Sequence, residues 1–346
     1  MCASETKLYE MAETAVPAND SHIIRALPIL IIHAHSSCNC RCVMCDIWKD
    51  KQQRMFGVHD LQPQRESIRR LGVRWIVFSG GEPLMNPELP ELCLTLRNEG
   101  IRLTLLTTGL LLKKCASAIA ALFDDVIVSL DGPPAIHDKI RRVDGAFALL
   151  QAGIQALREK TPKIKVTART TVQKMNHRHL IETCHTAKNL RLNQISFLAV
   201  DLTSAAFNRS PVWPVSKQTE IGLSLSELPQ LENEIETLIE HGRAEFGADF
   251  IAESPAKMRR IASRFRAHLG LEAPQAPICN APWVSAVIEA DGSVRPCFFH
   301  RTIGNLHGAE LDAVVNGPQA QSFREGLNVS NNGTCRNCVC SLNYRA

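Results

Sequence analysis

The chain contains no apolar run of about 18 residues, which argues against a membrane-spanning helix. Charge of one sign is also scarce. Lys plus Arg number 39 and Asp plus Glu 35, and the resulting +4 is too mild and dispersed for nucleic-acid binding. Residues 1–19 are polar and carry acids, so no secretory signal is present and a cytoplasmic location is expected. No internal repeat, low-complexity tract, G-x-G-x-x-G or P-loop appears, so neither a dinucleotide fold nor an NTPase is indicated. What is abundant is cysteine: 13 in 346 residues. That length suffices for about two domains and a sizeable core without disulfides. At 45% hydrophobic and 21% charged residues the chain is not a disordered one. An odd cysteine count without an export signal points to metal or redox chemistry.

The cysteines are not spread evenly. Cys38, Cys42 and Cys45 form one group, with Cys40 inside it but off its spacing. Cys279, Cys297, Cys335, Cys338 and Cys340 form a second. Cys93, Cys115 and Cys184 read as small buried hydrophobes, and Cys2 as part of a frayed terminus.

Six apolar runs (27–35, 73–79, 101–107, 125–130, 164–172 and 193–200) are rich in Val, Ile, Leu and Thr and lack clean alternation. That is the pattern of parallel strands buried on both faces. Segments with helical spacing lie between them at 61–71, 88–98, 112–123, 146–159 and 179–190. Six strand–helix units imply an α/β fold with right-handed crossovers, too short for an eight-unit barrel but suited to a partial one. Residues 224–243 and 254–269 read as amphipathic helices. Asp291-Gly292 is a hairpin signal between 283–290 and 293–299, and a helix is expected over 310–327. The expected organisation is an N-terminal extension (1–26), a barrel (27–215), a helical bridge (216–273) and a small cysteine-rich hairpin and helix domain (274–346).

In parallel α/β proteins, ligands bind at the C-terminal ends of strands, where this sequence keeps its unusual residues. SSCNCRCVMC (36–45) follows the first strand, SGGEP (79–83) the second and TTG (107–109) the third, while SLDG (129–132) ends the fourth. Arg169 lies within the fifth strand and Asn176 follows it. The C-x3-C-x2-C thiols suit zinc or an iron–sulfur cluster. His33 and His35 alternate on a strand, so one is expected to point inward, as a structural residue or a fourth ligand. Gly80 and Gly81 permit close backbone approach to a ligand. Ser129 and Asp131 suit a ribose, although Asp131-Gly132-Pro133 also reads as a simple turn. A guanidinium on a core strand, Arg169, requires an anionic partner such as a carboxylate.

Together these residues resemble the radical S-adenosylmethionine (radical SAM) superfamily over about residues 27–200. Cys38, Cys42 and Cys45 match its cluster loop, and Gly80, Gly81, Glu82 and Pro83 its glycine-rich element. The resemblance implies a partial (β/α)6 TIM-like barrel binding a [4Fe–4S] cluster and S-adenosylmethionine. On that basis the Gly80–Glu82 backbone meets the amino group, Ser129 and Asp131 the ribose and Arg169 the carboxylate. Thr108 and Asn176 lie in the same pocket. Met44 stands where the family often has an aromatic, and the sixth strand lacks a glycine signature seen in some members. The C-terminal segment resembles the SPASM/twitch extension. Its full form carries seven cysteines; the five here imply one auxiliary [4Fe–4S] cluster on Cys279, Cys297, Cys335 and Cys338, with Cys340 spare or alternative. A zinc knuckle would use the same four thiols.

The implied activity is reductive cleavage of S-adenosylmethionine to a 5′-deoxyadenosyl radical that abstracts a substrate hydrogen, oxidising or rearranging a small molecule or peptide. A flavodoxin- or ferredoxin-type donor would supply the electron. The competing reading is a non-catalytic zinc or iron–sulfur binding or electron-transfer protein, which has no need of Arg169 or a glycine-rich rim. With 37 residues before Cys38, no leader-recognition domain is expected. Asp201, Asn208 and Arg209 are candidate substrate contacts, with solvated loop residues as the plainer account. No general base is identified.

Overall fold

The computed structural model describes residues 22–345. The six apolar runs become β1 (Ile29–His35), β2 (Trp75–Gly80), β3 (Arg102–Thr107), β4 (Asp125–Ser129), β5 (Lys165–Val172) and β6 (Gln194–Ala199). They pair in parallel in chain order, with helices in every connection. The architecture is an open, partial barrel. On β1, Leu30, Ile32 and Ala34 are fully buried in the core shared with Ile68, Leu92 and Leu96 of the helical layer. The other β1 face carries His33 and His35, because successive side chains on a strand point to opposite sides.

The cysteine-rich hairpin does not stand apart from this sheet. β7 (Ser285–Ile288) pairs in parallel with the free side of β1, aligning Ile29 with Ser285 and Ile32 with Ile288. β8 (Ser293–Arg295) and β9 (Gly304–Asn305) continue antiparallel, and the whole is one nine-stranded sheet, β6-β5-β4-β3-β2-β1-β7-β8-β9. Both edges of β1 are thereby satisfied.

Two helical expectations change. Pro134–Arg141 is a helix that the periodicity did not reveal. The helix expected over 310–327 is two, Leu311–Val315 and Pro318–Glu325, broken where Gly317 is extended and Pro318 brings no N–H. The bridge helices run Leu228–His241 and Pro255–His268; the Ser254 side chain caps the second by accepting from the Lys257 N–H. No helix among the described residues is long and apolar enough to cross a membrane.

Candidate functional site

The twelve described cysteines are all free; Cys2 lies outside the described residues. Cys93 and Cys184 are buried in helices, and Cys115 is half-buried. Cys38, Cys42 and Cys45 lie on the irregular loop that leaves β1 at the strand rim. The loop is stitched to the Pro134–Arg141 helix: Arg41 N–H donates to Arg141 O at 3.1 Å and Val43 N–H to Ile140 O at 3.0 Å. The buried Arg141 side chain turns back into it. Nη1 donates to Cys42 Sγ at 3.5 Å, and Nη2 pairs with Asp131 Oδ2 at 2.5 Å. The Cys42 thiol is held below its usual range by the hydrogen bond from the Cys40 thiol and by the Arg141 charge, against burial. Cys40 moves the other way, held protonated by its bonds to Cys38 and Cys42 and by burial. Burial pushes Cys45 up to about 12. Arg141 was not singled out from the sequence. The usable signal was the His137–Arg141 spacing of four on a short amphipathic stretch.

A second buried cation braces the other side of the loop. Arg209 Nη1 donates to Asp201 Oδ2 at 2.7 Å, and Nη2 to Met44 O at 2.5 Å. Its guanidinium lies 3.6 Å from the Trp213 ring centroid, and Trp213 Nε1–H donates to Asp46 Oδ2 at 2.7 Å. Arg209 and Asp201 are therefore not solvated loop residues. They are a buried clamp between the segment after β6 and the cysteine loop. Asn208 remains on the wall of the cavity beside it.

The glycines after β2 face the same loop. A Cβ on Gly81 would sit 2.0 Å from Ser37 O, and one on Gly80, at φ +117°, 2.7 Å from His35 O. Gly81 N–H donates to His35 O and Glu82 N–H to Ser37 O. Glycine is thus required because the cysteine-loop backbone passes so close, a demand separate from any ligand. The Glu82 carboxylate is fully buried. It accepts from Thr107 Oγ1 at 2.8 Å, from Thr108 N–H at 2.7 Å and from Thr108 Oγ1 at 2.7 Å. Burial pushes it up and these bonds pull it back, with a net rise. Thr108 Oγ1 also reaches Asn39 Oδ1 of the cysteine loop at 2.9 Å. Glu82 and Thr108 are therefore tied into the rim through their side chains, beside the buried Pro83.

On β4 and β5, Ser129 and Arg169 are direct register partners and share a face. Arg169 Nε is buried without a hydrogen-bond partner. Asp131 is committed elsewhere: Oδ1 accepts from Thr171 N–H at 2.9 Å, and Oδ2 holds Arg141. Asn176 bonds backbone only, donating to Asp131 O at 2.9 Å and Thr171 O at 3.0 Å and accepting from Gln173 N–H. Both order the pocket floor.

The five C-terminal cysteines share one neighbourhood. Cys297 feels Cys279 and Cys335, and Cys338 feels Cys340, Cys297 and Cys279. Burial is the main cause in each case, pushing Cys297 to about 12, Cys335 to about 11 and Cys338 higher still. Arg264, on the Pro255–His268 helix, donates to the carbonyls of Arg336 and Asn337 and docks this segment. His300 Nε2 lies 3.4 Å from Cys335 Sγ.

His33 and His35 are two residues apart and so face the same side; the expectation that only one points inward is corrected. Both line a cavity of about 270 Å³ with Gly80, Gly81, Phe207, Glu289 and Phe298.

The donor sets fit iron–sulfur clusters. Burial of Cys42, Cys45, Cys297, Cys335 and Cys338 disfavours the thiolate unless cations compensate, and metal supplies that compensation. Arg141 and Arg209 flank the first set, as an anionic cluster requires. Arg169 Nε is a buried donor awaiting an acceptor.

Comparison with known proteins agrees. Residues 34–187 match the model of the Radical SAM superfamily, and residues 279–339 that of an iron–sulfur cluster-binding domain, SPASM. The chain is 32% identical over 157 residues to the Fe-coproporphyrin III synthase of Methanosarcina barkeri, spanning 44% of this chain and 39% of that protein. It is 30% identical over 151 residues to a probable GTP 3′,8-cyclase of Thermococcus kodakarensis, spanning 41% and 48%. The chain thus matches less than half the length of these relatives. Among solved structures, Streptococcus suis SuiB bound to S-adenosylmethionine superposes with a TM-score of 0.66 at 16% identity, over 92% of this chain and 73% of that one. anSMEcpe with bound AdoMet and a Cp18Cys peptide gives 0.62 at 19% identity, over 86% and 82%. At those identities the likeness is one of fold.

Proposed function

We propose, from the premise that this chain is a radical SAM protein carrying a SPASM domain, that it is an enzyme removing a hydrogen atom from a small molecule or peptide. When bound, the [4Fe–4S] cluster supplies the electron that splits S-adenosylmethionine into methionine and a 5′-deoxyadenosyl radical. The chain's own residues position and shield. Cys38, Cys42 and Cys45 are the proposed ligands of the first cluster, and Arg141 and Arg209 neutralise its surroundings. The Gly80–Glu82 backbone, Ser129 and Arg169 hold S-adenosylmethionine by its amino, ribose and carboxylate groups. Asp131, Asn176 and Thr108 position those elements. Cys279, Cys297, Cys335 and Cys338 hold the auxiliary cluster.

One observation carries the reading. Arg169 is the register partner of Ser129 on the barrel face and keeps a buried Nε without a protein acceptor. A metal-storage or electron-carrier fold has no need of a buried guanidinium nitrogen left without an acceptor on that face. Iron rather than zinc is supported by the match of residues 279–339 to an iron–sulfur cluster-binding domain.

The peptides bound by SuiB and anSMEcpe in their structures favour a peptide among the possible substrates. A small acidic electron-transfer protein of flavodoxin or ferredoxin type is the proposed donor. The test is anaerobic reconstitution followed by dithionite and S-adenosylmethionine. 5′-Deoxyadenosine should form with the wild type and be absent from the Cys38→Ala/Cys42→Ala/Cys45→Ala variant. Its persistence in that variant refutes the radical reading and leaves the electron-carrier alternative.

A further inference from the structure

The cavity between the cysteine loop and the β7–β8 hairpin holds two histidines in opposite hydrogen-bonded states. Glu289 uses both carboxylate oxygens: Oε2 lies 2.7 Å from His33 Nδ1 and Oε1 2.8 Å from Arg295 Nε. Burial pushes the Glu289 carboxyl up, but His33 and Arg295 outweigh it and keep it below the usual carboxylate range. An ionised carboxylate only accepts, so His33 Nδ1 donates to it and Nε2 is left to face the cavity. His35 is pinned the other way. Ser37 N–H donates to its Nδ1 at 3.0 Å, the shorter of that nitrogen's two contacts with Ser37, the other being the carbonyl at 3.2 Å. An N–H points only at a lone pair, and burial keeps this ring neutral, so the proton of His35 sits on Nε2.

Among the described residues neither Nε2 has a hydrogen-bond partner, and neither is among the buried unpartnered atoms sealed from solvent. Both rings line the 270 Å³ cavity. One wall of that cavity is Gly80 and Gly81, where the proposed S-adenosylmethionine site begins. Phe298, next to the proposed ligand Cys297, also lines the cavity. Phe298 packs at 4.8 Å from Phe207 and 5.6 Å from His33, giving an apolar side beside the polar pair.

We propose that this cavity is the substrate pocket, and that His33 Nε2 and His35 Nε2–H form an acceptor–donor pair for an N–H or O–H group lying beside a carbonyl-type oxygen, as in an amide or an α-hydroxy acid. The inference rests on the radical reading above and names the substrate chemistry of that site. In the proton step the substrate X–H bond breaks, its electron pair stays on X, and the proton forms a bond to His33 Nε2. Glu289 then faces an imidazolium and holds it. The β1–β2 register shifts between His33 and His35, and both rings still line the one cavity, where a single such group can take a hydrogen bond at each end. The charged and titratable groups facing the pair are Glu289 and Arg295 on β7 and the hairpin, Asp291 in its turn, and Asp50 and Arg54 on the cysteine loop.

The test is diethyl pyrocarbonate modification of anaerobically reconstituted holoprotein, read residue by residue by mass spectrometry across pH. Only an unprotonated ring nitrogen open to solvent reacts, so His33 should label and His35 should not. Glu289→Gln should change the rate of His33 labelling, since the carboxylate that holds Nδ1 is gone. Benzamide should slow His33 labelling several-fold, and acetophenone, which replaces the N–H₂ with a methyl, should not. Labelling of His35 with His33 silent, or equal protection by both probes, overturns the pair. Should Glu289→Gln fail to fold, the wild-type pattern and the two probes decide. Dithionite-driven 5′-deoxyadenosine formation by the wild type is scored separately. If it is absent while His33 labels as expected, the radical reading falls and the pair stands. If it is present while the labelling is reversed, the pair falls alone.

Discussion

His33 Nδ1 and Glu289 Oε2 lie 2.7 Å apart although 256 positions separate them in the chain. The contact exists because β7 is laid beside β1 in register, so that the residue after Ile32 meets the residue after Ile288. The C-terminal extension therefore does more than carry cysteines. It completes the wall of the barrel cavity and supplies the carboxylate that orients one of its histidines.

Arg141 donates to Cys42 Sγ, and hydrogen bonds to cluster sulfurs are among the factors that set an iron–sulfur potential. Replacing Arg141 with Gln removes a cation from the thiolate and frees Asp131. The reduction potential of the first cluster should fall, read by redox titration with electron paramagnetic resonance. An unchanged potential would show that the guanidinium acts on Asp131 alone.

Gly81→Ala places a methyl group 2.0 Å from Ser37 O, too close without moving the cysteine loop. The variant should fold but hold less iron per chain, with 5′-deoxyadenosine formation falling in proportion. Gly247→Ala, on the Arg243–Gly247 helix with nothing within 4 Å of the added carbon, is the control that should leave both unchanged.

Arg209→Met leaves Asp201 buried and unpaired, a change that removes about 3–5 kcal/mol of stability. The double variant Arg209→Met/Asp201→Leu should recover most of that loss, because no lone charge remains. Urea unfolding of the reconstituted protein measures both, and equal losses in the single and double variants would contradict the clamp.

Cys338→Ala should take the iron content from about eight to about four per chain, while Cys340→Ala should leave it near eight. The five cysteines are close neighbours, so spacing alone does not choose among them. Iron loss in Cys340→Ala with retention in Cys338→Ala would exchange their roles.

His137 is buried, and burial together with Arg141 lowers its pKa to about 3 from an ordinary 6.5. The unfolded chain therefore binds a proton there that the folded chain does not. Stability from this residue is intact above about pH 6.5 and declines as pH falls toward 3, by about 1.4 kcal/mol per unit at most. His137→Gln should flatten the acid limb of a stability–pH profile measured by denaturant unfolding. An unaltered limb would place the acid sensitivity elsewhere.

Much of the fold was legible locally. The six apolar runs became the six parallel strands because burial on both faces of a parallel sheet leaves a dense signature within each segment. The cysteine groups and the glycine pair could be read as well, since motifs are short spacings. The Pro134–Arg141 helix was missed because its eight residues, opening on Pro134 after the Pro133 cap, offer little periodicity. The Gly317–Pro318 break was readable in principle, since proline rarely continues a helix.

By itself the sequence determined the barrel class, the two cysteine groups and the rim on which the chemistry gathers, since all of these are written in runs and spacings of a few residues. Only the tertiary structure decided which buried charges meet. It brought Arg141 onto Cys42, Arg209 onto Asp201 and Met44, and Glu289 onto His33. The physical reason is that a buried charge must find its partner wherever the chain folds one into reach, whether 8 residues away, as for Arg209 and Asp201, or 256, as for Glu289 and His33, with no trace in local pattern.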